Sequence, residues 1–407
     1  MARACIVCDG SRVELFLDLG STALANKFLR PEELSATEPT HPLRVGFCHD
    51  CAHVQLMEHV PPPEMFTDYL YMSSASDTLT QHLHALSDVV SRRAQLGPGK
   101  LMIDIGCNDG TLLGGFGRHG VRTLGVDPAK NLAELTKASG IERYVGFFTA
   151  DSACEIRARW GPADAITATN TFPHIPRLRD FVEGIKTLLA PEGVFVIEAH
   201  YLLDLLEQVA FDTIYHEHVS YWALGPMVRL FEAAGLQVVD VERLPIHHGQ
   251  LRVFVQHAGR GQVQPSVAAR LAQERAYGLD RFDTFERFAE KTAQLKRALI
   301  ERLRQLHAQG KRVAGYGAPA KGNTLLSFLE LDASVIEYIA DRSPLKQGRV
   351  TPGRHIPVVA PDRLLEDRPD YVLLLAWNFA DEVLAQQAEY RRRGGRFIIP
   401  VPDVSIV

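Results

Sequence analysis

The sequence predicts an α/β protein in which two doubly wound parallel sheets follow a small N-terminal lobe organised by cysteines. Three observations predict it. Two C-x-x-C pairs stand in the first 51 residues, a strand–helix alternation begins at Leu101, and a second alternation begins at Arg312. A chain of 407 residues holds all three parts at the usual domain size.

The lobe comes first. Cys5-x-x-Cys8 and Cys48-x-x-Cys51 each bring two thiolates onto one cation, and together they complete a closed, tetrahedral Cys₄ zinc site. A redox C-x-x-C is the competing reading of either pair alone. With no open coordination position the zinc is structural, and Lys and Arg do not cluster between the knuckles as they would in a nucleic-acid reader. A formal net charge of -5 gives no general attraction for nucleic acid or an anionic membrane. No apolar run is long enough to span a bilayer, and Met1-Ala2-Arg3-Ala4-Cys5 is not a signal peptide. Six cysteines in this length are too sparse for a disulfide scaffold, so a cytoplasmic location is expected.

Asp68–Ser76 is polar and aromatic, and an amphipathic helix near Thr78–Gln95 follows it, ended by Gly97-Pro98-Gly99. Leu101–Ile105, Arg122–Val126, Tyr144–Phe148, Ala163–Ala168 and Gly193–Glu198 read as buried strands separated by helical segments, a Rossmann-like pattern. A polar helical region spans Ser266 to Gln309, its charges read as a solvated face. Arg312–Gly315, Val335–Ala340, Tyr371–Leu375 and Phe397–Val401 are the strands of the second Rossmann-like domain. The expected division is 1–75 for the zinc lobe, 76–260 for the first α/β domain, and 261–407 for the helical bridge and the last domain.

Asp104-Ile105-Gly106-Cys107-Asn108-Asp109-Gly110 carries a strand into a glycine turn and a helix. Glycine there lets a ligand approach the backbone, and the helix N-terminus offers free N–H groups. The spacing is not the G-x-G-x-x-G of a dinucleotide site. An acidic residue before G-x-x-x-G resembles the first motif of class I S-adenosylmethionine-dependent methyltransferases. Asp104, Gly106, Asn108 and Gly110 are the candidate cofactor contacts of the turn, with Asp127 placed to accept ribose hydroxyls and Asn170 on the carboxyl edge of the sheet.

Phe211 through Tyr221 contains Tyr215-His216-Glu217-His218, too many adjacent ionisable groups to bury without a purpose. H-x-H lacks the spacing of a helical metal site, and general acid/base work fits better. His174, after the fourth strand, is able to project into the same cleft.

These residues, the Cys₄ lobe, the run Gly315-Tyr316-Gly317-Ala318-Pro319-Ala320-Lys321-Gly322-Asn323-Thr324, and the segments Asp341–Gly348 and Leu375–Phe379 resemble the sugar C-methyltransferases of deoxysugar biosynthesis over essentially the whole chain. That resemblance implies methyl transfer from S-adenosylmethionine to C3, or alternatively C5, of a nucleotide-linked 4-keto-6-deoxysugar, dTDP being the commonest nucleotide. It implies His218 as the base and Glu217 as its orienter or charge partner, with Tyr215 and His174 donating to the ketone or enolate oxygen and Tyr69 or Tyr71 adding a phenol. Lys321, Asn323, Arg342, Lys346 and Asn378 are the implied contacts of the nucleotide sugar. Pro173, Ala75 and His247-His248-Gly249-Gln250 differ from the family's pattern near the sugar pocket. A monomer or weak homodimer is expected. The main competing class is an NAD(P)-dependent oxidoreductase acting on a nucleotide sugar.

Overall fold

The computed structural model describes residues 4–117, 120–246 and 249–407, so His247 and His248 lie outside the described residues. The lobe is an antiparallel sheet of Val13–Thr22, His41–Cys48 and Val54–Leu56, with Val13 opposite Cys48 and Phe47 opposite Val54. Its fourth strand is Ser220–Tyr221, which arrives from far along the chain and pairs Tyr221 with Val54. The lobe sheet is therefore completed by residues directly behind His218.

The helical region forms two helices, Pro265–Tyr277 and Phe282–Ala308, separated at Gly278, whose φ of 92° caps the first in the left-handed conformation. The second helix is solvated on one side only. Phe285, Phe288, Leu295, Leu299, Leu303 and Leu306 recur at three- and four-residue spacing and are buried. Phe285 packs on Phe16 and Phe47 of the lobe, with ring centroids 5.1 and 4.9 Å away. The reading of its charges as a solvated face holds for the opposite side.

The first large sheet has seven strands, in the order Leu236–Leu244, Gln250–His257, Leu189–His200, Ala163–Thr169, Leu101–Ile105, Arg122–Asp127 and Glu142–Val145. Five are parallel, and the hairpin of Leu236–Leu244 and Gln250–His257 adds two antiparallel strands. Leu101–Ile105 is buried at every position, as a central parallel strand covered on both faces must be. The strand expected at 144–148 lies instead at Glu142–Val145, because Phe148 turns off the sheet to pack on Phe181 at 5.2 Å.

The second large sheet runs Val358–Val359, Ile339–Ala340, Val313–Tyr316, Tyr371–Leu374, Arg396–Ile399 and Ser405–Ile406, all parallel except the last. In each sheet the first strand lies beside the point where strand order reverses, the place where ligands of such sheets bind. Among the described residues no helix is long and apolar enough to cross a membrane.

Candidate functional site

The carboxyl ends of both sheets open on one cavity of about 1200 Å³. Its lining joins Asp104, Gly106, Asn108, Asp127 and Asn170 at one end to Lys321, Arg342, Lys346 and Asn378 at the other. Tyr69, Tyr71, His174, Tyr215 and His218 lie along the same walls. Three expected contacts, Glu217, Gly110 and Asn323, are not part of that lining.

At the glycine turn, Gly106 has φ 75°, and a side chain there would collide with Thr171. Asp104 accepts the Thr167 hydroxyl at 2.6 Å, and burial pushes its carboxyl up to about 7. Asp127 is held by the backbone N–H groups of Asn108 and Ala129 at 2.9 and 2.8 Å. Burial raises its pKa, and Arg143 opposes this from 2.9 Å. Arg143 also donates to the carbonyls of Asn108 and Ala129, both at 2.8 Å, so one buried guanidinium braces the whole turn. Asn170, with φ 55°, accepts from Gln250 at 2.6 Å.

Two residues of the turn also make structural contacts. The side chain of Asn108 takes Ser73 N–H at 2.9 Å and gives to Tyr71 C=O at 3.0 Å, so it holds the segment over the turn. Gly110 caps helix Thr111–Phe116 at φ 85° and packs against Ile141, where a Cβ would stand 2.5 Å from the Ile141 Cδ1.

In the middle, His218 Nδ1 lies 2.8 Å from the Thr213 carbonyl. A carbonyl only accepts, so Nδ1 carries the proton. In the neutral ring Nε2 then accepts from the Tyr215 hydroxyl, 2.9 Å away. Burial lowers the His218 pKa to about 3, and His174 adds to the effect. The His174 ring is stacked between Phe66 and His218, at 5.2 and 5.1 Å, and its own pKa is likewise lowered to about 3 by burial. His200, unmarked in the sequence, sets its ring 5.1 Å from His218.

Glu217 does not orient His218. Neighbouring residues of a turn point apart, and the Glu217 carboxylate instead accepts from Asn26 at 2.7 Å and from the Tyr69 hydroxyl at 2.8 Å. Burial raises its pKa to about 7, opposed by Tyr69, Asn26 and Lys346. Asn26 thus brings the lobe into the site through a contact 191 residues apart in sequence. His216 bonds the His41 carbonyl at 3.1 Å, a second tie from this loop to the lobe. Tyr69 is the phenol that reaches the loop; Tyr71 is 43% exposed and sits 6.3 Å from the Tyr69 ring.

At the far end, Lys321 Nζ stands 4.2 Å over the Trp377 ring. Burial lowers its pKa to about 8 and the Asp212 carboxylate raises it. Asp212 itself is buried and accepts the Trp377 N–H at 2.6 Å. Lys346 donates to the Ala318 carbonyl at 2.8 Å. Arg342 reaches outward, its side chain 65% exposed and 3.9 Å from Glu382. Asn323 faces away from the cavity and donates to the Ala25 carbonyl at 2.7 Å, because its helix packs there against the lobe.

The four cysteines converge. Cys5 and Cys51 sulfurs are 3.5 Å apart, Cys8 and Cys48 3.7 Å, and all four atoms lie within 4.8 Å of one another. Tetrahedral zinc with Zn–S of about 2.3 Å needs sulfurs roughly 3.8 Å apart, so the donor set fits the ion.

Three family models match the chain: a candidate zinc binding domain over residues 5–66, a methyltransferase domain over 78–241, and a C-methyltransferase C-terminal domain over 245–402. The chain is 39% identical over 404 residues to the C-methyltransferase NovU of Streptomyces niveus, covering 99% of this chain and 96% of that protein. It is 26% identical to a ubiquinone biosynthesis O-methyltransferase of Burkholderia pseudomallei over 47% of this chain and 90% of the relative. A solved S-adenosylmethionine-dependent methyltransferase from Clostridium acetobutylicum overlays 46% of this chain and 94% of its own, at 13% identity and a TM-score of 0.36. The matched families are methyltransferases, which sets aside the oxidoreductase alternative.

Proposed function

The chain belongs to the S-adenosylmethionine-dependent C-methyltransferase family, and from that premise we propose that it methylates a ring carbon, C3 before C5, of a nucleotide-linked 4-keto-6-deoxysugar. One observation carries the reading: the glycine turn, the His218–Tyr215 pair and the lysines line a single cavity. Such a cavity suits an acceptor with a reactive carbon at one end and a diphosphate at the other. The three parts then divide the work as 1–75, 76–260 and 261–407, with dTDP as the first nucleotide to test and the cytoplasm as the setting.

A C–H bond beside a ketone ionises because the charge spreads onto oxygen, so the protein must supply a base, an oxyanion partner and close placement. His218 takes the proton at Nε2, since Nδ1 is committed to Thr213. The Tyr215 hydroxyl leaves Nε2 at that moment and donates to the developing enolate oxygen. His174, stacked on His218, is the second donor to that oxygen. Glu217 fixes the Tyr69 phenol on the cavity wall, where its oxygen meets a sugar hydroxyl. Gly106 and Asp127 would hold S-adenosylmethionine, whose sulfonium would supply an electrophilic methyl to the enolate carbon, the sulfur keeping the bonding pair. Lys321, Lys346, Arg342 and Asn378 answer the diphosphate. Cys5, Cys8, Cys48 and Cys51 would hold a structural zinc that keeps the lobe, and with it Asn26, against the loop.

The test is carbon-13-methyl S-adenosylmethionine with a panel of nucleotide 4-keto-6-deoxysugars. A labelled methyl resonance bonded to ring carbon supports the reading; label on oxygen, or on none of the sugars, overturns it.

A further inference from the structure

Between the short helix Pro62–Phe66 and helix Asp77–Arg93 the chain crosses the cofactor turn with no regular structure except one 3₁₀ turn, Ser73–Ala75. A segment of this kind needs bonds from elsewhere to hold it. They come from the loops that follow the first two strands of the seven-stranded sheet. Asn108 takes Ser73 N–H and gives to Tyr71 C=O, and Asp109 takes Ser74 N–H at 2.9 Å. Further along, Lys130 N–H reaches the Thr67 carbonyl at 3.0 Å.

Asn131 makes the most specific of these contacts. Its Oδ1 accepts Tyr69 N–H at 3.0 Å and its Nδ2 donates to Tyr69 C=O at 2.9 Å. One amide thus satisfies both backbone groups of one residue, in the manner of a bridge between two strands. That residue is the one whose phenol meets Glu217 at 2.8 Å. Asn131 is exposed, lies outside the cavity lining and bonds neither Glu217 nor the turn glycines. It follows Asp127, Pro128 and Ala129, and Arg143 braces two of these against the Asn108 carbonyl. The frame that shapes the cofactor turn therefore also grips Tyr69.

We propose that Asn131 is a positioning residue for methyl transfer: it fixes the Tyr69 backbone so that the phenol stays on Glu217, and so ties the acceptor wall of the cavity to the cofactor turn. The proposal rests on the reading above, in which the Tyr69–Glu217 pair serves the reaction. No atom of Asn131 touches the reacting groups, so its effect passes entirely through Tyr69.

A double-mutant cycle separates this from a general structural role. Turnover is measured for Asn131→Ala, Tyr69→Phe and the double variant, with S-adenosylhomocysteine affinity and melting temperature taken for each. Displacement of a positioned group by about 1 Å can cost a hundredfold, and partial release of Tyr69 is expected to lower kcat of Asn131→Ala about tenfold. Cofactor-product affinity stays within about twofold, and in the Tyr69→Phe background the second substitution adds nothing. Asn131→Asp keeps the acceptor for Tyr69 N–H but sets its other carboxylate oxygen against the Tyr69 carbonyl, and is expected to be at least as slow as Asn131→Ala. A slow Tyr69→Phe beside a full-speed Asn131→Ala overturns the proposal, as does a fully additive double variant. A full-speed Tyr69→Phe removes the Tyr69–Glu217 reading itself and Asn131 with it.

Discussion

Replacing Arg143 with methionine keeps the unbranched stem of the side chain and removes its charge and all five of its N–H donors. The three acceptors it meets below 3 Å then lose a partner, the Asp127 carboxylate and the carbonyls of Asn108 and Ala129, along with two longer contacts at 3.5 Å to the Asp127 carbonyl and the Thr136 hydroxyl. The guanidinium and carboxylate are both buried, with side-chain exposures of 4% and 10%. Removing one member of a buried pair costs about 3–5 kcal/mol, because the other is left without its counter-charge. Part of that falls on folding stability. The part that reaches the cofactor is the loosening of the Asp127 carboxylate and the Asn108 carbonyl, about 1.5–3 kcal/mol for a hydrogen bond to a charged group. At 1.4 kcal/mol per tenfold, affinity for S-adenosylhomocysteine falls about 10- to 100-fold. The sign for Asp127 is fixed: burial already raises its pKa and Arg143 is among the groups opposing this, so the variant's carboxyl rises further and is more readily neutralised. Isothermal titration with S-adenosylhomocysteine reads the affinity directly, and a thermal melt reads the stability share. An Arg143→Met protein that melts earlier yet binds within twofold of wild type would refute the reasoning, since the clasp would then serve the fold alone.

Other consequences follow from the same contacts. Glu217, raised to about 7 mainly by burial, accepts both of its bonds as a carboxylate, with Tyr69, Asn26 and Lys346 favouring that form. Turnover should therefore rise with pH through about 7, and Glu217→Gln should be slow with this limb gone; an unchanged limb in the variant contradicts the assignment. The same raised pKa means the folded state binds this proton more tightly than the unfolded chain, so the group's contribution to stability declines as pH climbs from the ordinary carboxyl range toward 7. Lys321→Met should raise the KM for a nucleotide sugar at least about tenfold, as loss of a charge-assisted contact would, and leave S-adenosylhomocysteine binding untouched. Equal losses on both ligands would place Lys321 elsewhere in the reaction. Cys48→Ser should lower bound zinc, measured by elemental analysis, together with turnover, because Ser220–Tyr221 directly behind His218 is a strand of the lobe sheet. Full zinc content in that variant would show that the cysteines are not its ligands.

The sequence was most legible where the signal is local. Leu101–Ile105 is a strand at the expected residues, because a short run of large apolar residues broken only by Asp104, set between a glycine break and a glycine turn, admits little else. The cysteine knuckles meet because each pair fixes its own spacing, leaving only one long-range closure. What could not be read is what depends on partners distant in the chain. Asn26 and Arg143 carry no motif, and their roles exist only once the lobe lies against residue 217 and strand Glu142–Val145 pairs beside Asp127. Glu217 stands next to His218 in the sequence yet serves Tyr69, since the turn sends successive side chains to different sides. Asn323, in the same helix as Lys321, is turned to Ala25 for the same geometric reason.

The central claim is that the cavity makes a carbon nucleophile before any methyl moves. The direct test is to incubate the protein with a nucleotide 4-keto-6-deoxysugar in deuterated water, with no methyl donor present, and to weigh the recovered sugar by mass spectrometry. The account predicts solvent deuterium beside the ketone with the wild-type protein and none above background with His218→Asn. Exchange that persists undiminished in His218→Asn would contradict it, as would a wild-type protein that methylates the sugar without ever exchanging that proton.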